Sequence, residues 1–187
     1  MRAICGLTLA VLLSGCWTGP DFYAERSSEQ PIEPGRYKLV DTYAMLPDAQ
    51  EKLWREEPIG YRVRISYADD GTAIVENAPA GEGPQRARIV ALDKSRGLYV
   101  AQIDPGEGVA EVGTRIYGLI SVGSGGYRIS IPPCDGTRRL TPNSPVIVGG
   151  VLFGLRCRFR TRAEFETAML AFARDPVSWS EYRRVTR

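Results

Sequence analysis

The chain of 187 residues contains no histidine. Histidine is the usual general base near neutral pH and the commonest protein ligand of transition metals. Its absence excludes Ser-His and Cys-His nucleophile pairs and disfavours most transition-metal sites. Because no other catalytic group of residues is recognisable, the sequence predicts a protein that is not an enzyme and that needs no cofactor.

The chain also lacks a hydrophobic run long enough to cross a bilayer. An uncharged, mostly aliphatic stretch covers residues 3–13, whereas a membrane-spanning helix needs about 20 apolar residues. Arg2 precedes this stretch, and the small residues Ser14 and Gly15 separate it from Cys16. Such a stretch with these flanks is typical of a signal peptide, here residues 1–15.

The sequence Leu13-Ser14-Gly15-Cys16 resembles the lipobox of bacterial lipoproteins. The resemblance implies cleavage before Cys16, a diacylglyceryl group on its sulfur and usually a further acyl chain, such as palmitate, on its new amino group. Two or three acyl chains anchor a protein stably. Because Trp17 rather than Asp follows the cysteine, the sorting rule of the family implies the outer membrane, with the protein facing the periplasm.

Only four cysteines are present. In this interpretation Cys5 leaves with the leader and Cys16 carries lipid, so Cys134 and Cys157 remain in an oxidising compartment. The simplest prediction is one disulfide between them. A redox-active or metal-binding pair is the alternative, although neither cysteine belongs to a Cys-x-x-Cys pattern.

The mature chain divides into a lipidated tether at 16–34 and a single domain at 35–187. Residues 17–34 mix Gly, Pro, Ser and acidic residues with few aliphatic ones, which is typical of a linker. The domain alternates short runs of period two with turn residues, which predicts antiparallel strands joined by hairpins. We therefore expect a mainly β (α+β) fold, an antiparallel meander sheet or partly closed barrel with a C-terminal helix. This body resembles small β-rich bacterial lipoproteins, a likeness that transfers no site.

The helix is predicted to begin at residue 161. Thr161 and Glu164 have the spacing of a capping box. Apolar residues then recur at helical spacing: Phe165, Ala168, Met169 and Phe172. Asp175-Pro176 ends the helix, and Trp179, Tyr182 and Val185 suggest a second short amphipathic segment.

Three motifs could carry chemistry but are better explained by local structure. Glu56-Glu57 and Asp69-Asp70 are adjacent carboxylates, but the first pair precedes Pro58 and the second fits a hairpin turn that ends in glycine. The run at 123–126, Gly-Ser-Gly-Gly, lacks the further glycine of a dinucleotide fingerprint, and strand-like residues follow it. We expect hairpin turns at the latter two places and no metal site.

Three arginines, Arg156, Arg158 and Arg160, alternate with less polar residues near the C-terminal end. In a strand, alternation places them on one face. Residues 156–187 hold eight basic and four acidic residues. The near-neutral net charge of the chain therefore conceals a basic C-terminal surface. Guanidinium groups suit phosphate and carboxylate, which makes the row a candidate site for binding an anion or a partner. A solvated strand face that resists aggregation is the alternative.

These features predict a lipid-anchored periplasmic binding or scaffolding lipoprotein of the cell envelope. The expected partners are the membrane, through the anchor on Cys16, and an envelope protein, anionic lipid or peptidoglycan. Nucleic acid is not expected. The alternative is an inhibitor or small-ligand-binding module that presents residues 105–111 or 135–143 to an envelope enzyme.

Overall fold

The computed structural model describes residues 17–44, 59–77, 83–104, 115–132, 146–150 and 154–186. Several sequence predictions fall outside these ranges. They are the leader 1–15, lipidation of Cys16, the carboxylate pair Glu56-Glu57, the Cys134 end of the predicted disulfide, and the loops 105–111 and 135–143.

Within the described ranges the chain forms eleven strands and one α-helix. The strands are β1 Trp17–Gly19, β2 Gly35–Ala44, β3 Arg62–Tyr67, β4 Ala73–Glu76, β5 Gln85–Asp93, β6 Leu98–Ile103, β7 Arg115–Gly123, β8 Gly126–Ser130, β9 Val146–Gly150, β10 Gly154–Arg158 and β11 Ser178–Arg184. A 3-10 turn, Lys94–Arg96, connects β5 to β6, and helix α1 covers Arg162–Phe172. The prediction of a mainly β fold with a C-terminal helix is confirmed.

Eight of the strands close into an antiparallel barrel. Around the barrel the order is β6-β5-β4-β3-β2-β11-β8-β7, and β7 pairs again with β6. Antiparallel pairing suits strands that short turns connect in sequence. Of the two architectures that the sequence left open, the structure is the barrel, and the ring of strands is complete. Outside this ring, β1 pairs with β7 and, in parallel, with β10, which pairs with β9.

Strand β11 completes the barrel, although its sequence suggested only a short amphipathic segment. It pairs with β2 along one edge and with β8 along the other. Tyr182 is buried in the barrel, whereas Trp179 contacts Tyr43 and Arg128. A segment between two strands takes its backbone hydrogen bonds from both, so tertiary context decides its conformation here.

Side chains fill the barrel. Its buried residues are mostly aliphatic or aromatic: Ile32, Tyr37, Leu39, Val63, Ile65, Ala73, Ile89, Ala101, Ile120, Tyr127 and Tyr182. Tyr127 lies at the centre of an aromatic group, with its ring centroid 5.2 Å from that of Tyr37 and 5.1 Å from that of Tyr182. In an eight-stranded barrel the interior is just wide enough for side chains to fill, and this interior is a packed core.

A second core lies between helix α1 and the outside of β5, β6 and β7. It contains outward-facing residues of these strands, the apolar face of the helix and several aromatic rings: Trp17, Tyr23, Val90, Val100, Tyr117, Leu119, Cys157, Phe159, Phe165, Ala168, Met169 and Phe172. The capping box is confirmed. The Thr161 hydroxyl accepts from the Glu164 amide at 3.2 Å, and the Glu164 carboxylate accepts from the Thr161 amide at 3.3 Å. Such caps contribute about 1 kcal/mol.

Residues 17–34, which we call the strap, pack against the barrel instead of forming the expected tether. Trp17, Tyr23 and Ile32 are 0%, 1% and 5% exposed. The amide of Glu29 donates to the carbonyl oxygen of Ile89 at 2.7 Å. The expectation of a free linker is therefore wrong for the strap, because its scattered aromatic and aliphatic side chains are buried on the barrel surface and at its end.

Gly97→Ala is expected to destabilise the protein by about 1–3 kcal/mol. Gly97 follows the 3-10 turn with a φ of 65°, which L side chains rarely adopt. An added Cβ would also lie 2.7 Å from the carbonyl oxygen of Val122. Gly123→Ala is the matched control, since no described atom comes within 4 Å of its added Cβ. Urea denaturation compares the two variants, and equal losses of stability would contradict the prediction.

Candidate functional site

The predicted arginine row is present where the structure describes its side chains. Cys157 and Phe159 are buried, whereas Arg158 and Arg160 between and after them are exposed. The alternation continues for two residues past the end of β10. Neither Arg158 nor Arg160 forms an ion pair with a described residue. Arg156 lies in β10, but its side chain is outside the described part of the structure.

The row ends at Arg160. Arg162, the next arginine, forms an ion pair with Glu166 at 3.3 Å, and its guanidinium carbon lies 5.9 Å from the ring centroid of Tyr23. Arg162 therefore stabilises the contact between α1 and the strap, while Arg158 and Arg160 remain available to solvent.

The neighbour of this row is the first strand of the chain. In the parallel pair of β1 and β10, Trp17 is opposite Cys157 and Thr18 is opposite Arg158. Trp17 has no exposed surface, and the residue that precedes it along the chain is Cys16.

A second cationic surface was not predicted. Five exposed residues on the outside of β3, β2 and β11 form what we call the basic face: Arg36, Lys38, Arg62, Arg64 and Arg183. Strand register brings them together, because Arg36 is opposite Arg64, and Lys38 is opposite Arg62 on one side and Arg183 on the other. The alternation within 36–38 and 62–64 was visible in the sequence, but their adjacency and the contribution of residue 183 were not.

The charges of the basic face are only partly compensated. Arg64 is 3.6 Å from Glu76, and Arg183 is 3.0 Å from Glu181. Arg36, Lys38 and Arg62 form no ion pair with the described residues. Like charges directly opposite on neighbouring strands are destabilising by roughly 0.2–1 kcal/mol per pair. The arrangement therefore gives the fold no stability, which points to a role at the surface.

An aromatic pair lies on the same outer face, nearer the other end of β2 and β11. The rings of Tyr43 and Trp179 stack with centroids 5.9 Å apart and planes at 25°, and Tyr43 is 40% exposed. The guanidinium carbon of Arg128 lies 4.6 Å from the Trp179 ring centroid. Between this pair and the basic face lies Glu181, and hydrogen bonds from Arg128 and Arg183 lower its pKa.

A shallow cavity of about 290 Å³ opens beside the turn between β7 and β8. Its lining includes Ser121, Gly126, Arg128, Glu181 and Arg183. The cavity is polar, and its charged groups are already engaged with one another, since Arg128 contacts Glu181 at 2.8 Å. It adjoins the basic face and extends the cationic surface toward the end of the barrel.

A buried polar group under the strap is structural. The amide of Gln102, 4% exposed, donates to Asp21 at 2.8 Å, and the Tyr117 hydroxyl donates to Gln102 at 3.2 Å. Arg88 lies 3.5 Å from Asp21 and donates to the carbonyl oxygen of Tyr23 at 2.8 Å. Burial raises the pKa of Tyr117. These groups satisfy one another and hold the strap against the barrel.

Two motifs that resembled chemical sites form turns. The amide of Thr72 donates to Asp70 at 2.9 Å, and Gly71 has a φ of 79°, so the aspartate pair starts the β3–β4 hairpin. The glycine-rich run forms the β7–β8 hairpin, with Gly125 at a φ of 80°. Among the described residues, no three His, Cys, Asp or Glu side chains are close enough to hold a metal ion.

The fold and these surfaces define a class: a closed, eight-stranded antiparallel β-barrel with a packed interior and two cationic surfaces on its outside. Neither a model of a known protein family, nor a curated protein, nor a solved structure matches this chain. In the part of the chain that the structure describes, no helix is both long enough and apolar enough to span a bilayer.

Proposed function

We propose that this protein is a lipid-anchored binding or scaffolding protein of the bacterial envelope, attached through Cys16 to the outer membrane and facing the periplasm. The observation that supports this proposal best is the position of Arg158 and Arg160. Both are exposed and form no ion pair with the described residues. Arg158 is opposite Thr18 in the strand that begins one residue after Cys16, and Arg160 follows it by two residues.

An anchor on Cys16 would also orient the barrel, because no spacer separates this residue from β1. Because Trp17 is buried and paired with β10, acyl chains on Cys16 would hold this side of the barrel directly against the headgroups. Arg158 and Arg160 would then meet lipid phosphates, which guanidinium groups bind well. A basic residue near an anionic membrane surface contributes about 1 kcal/mol, in addition to about 0.8 kcal/mol for each buried methylene of the acyl chains.

The packed interior supports binding on the outside of the barrel. Barrels that hold a small ligand leave room for it among their inward-facing residues, whereas here Ile32, Tyr127 and Tyr182 are part of a continuous buried cluster. Among the described residues, the surfaces that remain for recognition are the outer faces of the strands, and two of these surfaces are cationic. A scaffolding or binding role uses such surfaces without any catalytic group.

The test begins with protein purified from its native host. Mass spectrometry should find the chain starting at an acylated Cys16. The protein is then inserted into vesicles of phosphatidylglycerol or of phosphatidylcholine, and arginines are modified with phenylglyoxal. We expect Arg158 and Arg160 to react at least about threefold more slowly in the anionic vesicles.

Arg36 and Arg62 are the internal controls, since both are exposed and lie on β2 and β3, which pair with neither β1 nor β10. They should react equally in both kinds of vesicle. An intact Met1 start would remove the anchor from the proposal. Equal reactivity of Arg158 in the two vesicles would remove the orientation that we propose for the barrel.

A further inference from the structure

We propose that the basic face, together with the aromatic pair Tyr43–Trp179, binds peptidoglycan, a polymer that combines sugar rings with free carboxylates. The inference rests on the proposed location in the periplasm and names a partner for it. The inference is carried by the juxtaposition of uncompensated cations and an exposed tyrosine ring that stacks on Trp179, both on one face, and by the place of that face in the barrel.

The basic face lies across the barrel from the proposed anchor. Strand β1 pairs with β7, and β3 is four strands from β7 in either direction around the ring. When the side of β1 and β10 rests on the membrane, the outside of β3 and β2 is turned away from that membrane, and β11, two strands from β7, lies at the side. The face is therefore presented to the periplasm, where peptidoglycan is the extended anionic polymer.

The spacing of the cations fits several anionic groups rather than one. Neighbouring strands lie about 4.8 Å apart, and alternate residues of one strand lie roughly 7 Å apart. Arg36, Lys38 and Arg62 occupy neighbouring points of this grid, and none of them forms an ion pair with a described residue. A convex surface with separated cations suits carboxylates distributed along a chain, and arginine binds them through two parallel hydrogen bonds.

The aromatic pair accounts for the sugar component. Tyr43 and Trp179 have apolar ring faces and polar tips, a combination that is common at recognition surfaces. Tyr43 is 40% exposed and stacks on Trp179 within the same outer face as the cations. Two carboxylates lie between the aromatic pair and the cations, since Glu181 is opposite Asp41 on this face. Glu181 is held by Arg128 and Arg183, so its charge is largely compensated, and Asp41 is an exposed negative charge at the edge of the basic face.

Binding is measured by co-sedimentation of the detergent-extracted mature protein with purified sacculi. The triple variant Arg36→Ser, Lys38→Ser, Arg62→Ser should bind at least about tenfold more weakly. The matched control is Arg26→Ser, Arg86→Ser, Arg174→Ser, which removes the same charge from exposed residues outside the basic face and should bind within about twofold of the wild type. Trp179→Ala should weaken binding roughly threefold, and sacculi whose carboxylates have been amidated should bind much less protein.

Each other outcome overturns the proposal. Equal weakening by both triple variants would show unspecific charge attraction. In a parallel co-sedimentation with phosphatidylglycerol vesicles, a triple variant that loses binding to the vesicles but not to sacculi would assign the basic face to a membrane. Retained binding to amidated sacculi would exclude carboxylate recognition, and no binding by the wild type would exclude this partner.

The design of the assay and a measurement of the melting temperature make the result interpretable. The sacculus assay contains no bilayer, so it gives a result even if Cys16 proves not to be acylated. A wrong prediction of the anchor is therefore distinguishable from a wrong prediction of peptidoglycan binding by the basic face. The triple variant should also retain or slightly raise the melting temperature, because it removes repulsion between the opposed residues Lys38 and Arg62. A folded variant that binds normally would overturn the proposal directly.

Discussion

Trp17→Ala is expected to lower the free energy of unfolding by about 3–5 kcal/mol, the range for truncating a large buried aromatic residue. Trp17 has no exposed surface, and its ring centroid lies 4.8 Å from that of Phe159 and 6.0 Å from that of Phe172. It connects β1 to the segment before α1 and to α1 itself. The surrounding aromatic rings are rigid, so the cavity left by the substitution would collapse only partly.

Trp179→Ala is the matched control, on a strand that does not pair with β1. Trp179 is half-buried, and its contacts are the ring of Tyr43 and the guanidinium group of Arg128. Its removal should cost about 1 kcal/mol. Urea denaturation followed by far-ultraviolet circular dichroism gives both values, and equal losses would show that Trp17 is not central to the second core.

The Trp17→Ala variant also tests the proposed orientation of the barrel at the membrane. Strand β1 is the connection between residue 16 and the barrel, so weakening it would give the anchor the spacer that the wild type lacks. In phosphatidylglycerol vesicles, Trp17→Ala should therefore raise the phenylglyoxal reactivity of Arg158 toward its value in phosphatidylcholine.

Cooperative unfolding at alkaline pH, between about pH 10 and 12, is the second large effect that we expect. Burial raises the pKa of Tyr117 and Tyr127. Burial and, after it, the carboxylate of Glu166 raise the pKa of Tyr23. Burial also raises the pKa of Tyr67 to about 12. The folded barrel thus keeps these phenols protonated where an unfolded chain would not.

The sign follows from the proton balance. A tyrosine in the unfolded chain has a pKa of about 10, so above that pH the unfolded state loses protons that the folded state retains. Stability is fully present below pH 10 and is lost as the pH rises toward the folded values. Each retained proton changes stability by about 1.4 kcal/mol per pH unit, so Tyr23, Tyr117 and Tyr127 together lower it by about 4 kcal/mol per unit.

Phenolate absorbance and far-ultraviolet circular dichroism, recorded on the same samples, should therefore change together. Tyr127→Phe is the informative variant, since Tyr127 is 7% exposed within the barrel and its loss removes one of the coupled protons. Its transition should be less steep and lie at higher pH. Ionisation of the buried phenols without loss of circular dichroism would contradict this account.

The sequence predicted local structure correctly where interactions between residues close in the chain determine it. The capping box of Thr161 and Glu164 and the apolar spacing of α1 specify a helix from within about a dozen residues. The β3–β4 hairpin depends on Asp70 and Gly71. The alternation of Arg158 and Arg160 with buried residues follows from the period of an extended chain. The lipid anchor on Cys16 and the disulfide between Cys134 and Cys157 stay predictions.

The strap shows why a long-range contact escapes a local pattern. Trp17, Tyr23 and Ile32 are separated by six and nine residues, and such spacing matches neither a helix nor a strand. Each side chain is buried by residues distant in the sequence: Trp17 and Tyr23 belong to the second core and Ile32 to the barrel interior. Composition alone predicted a linker, since it records how many apolar residues a segment has and not what they contact.

What the sequence determined by itself was the class of fold, the position of its one described helix and the outward direction of the arginines near its end, all set by interactions within a few residues. The tertiary structure alone decided that β11 completes the barrel and that Arg36, Lys38, Arg62, Arg64 and Arg183 share a face. The reason is strand register. It places residues more than a hundred positions apart in contact, and it depends on the packing of the whole barrel.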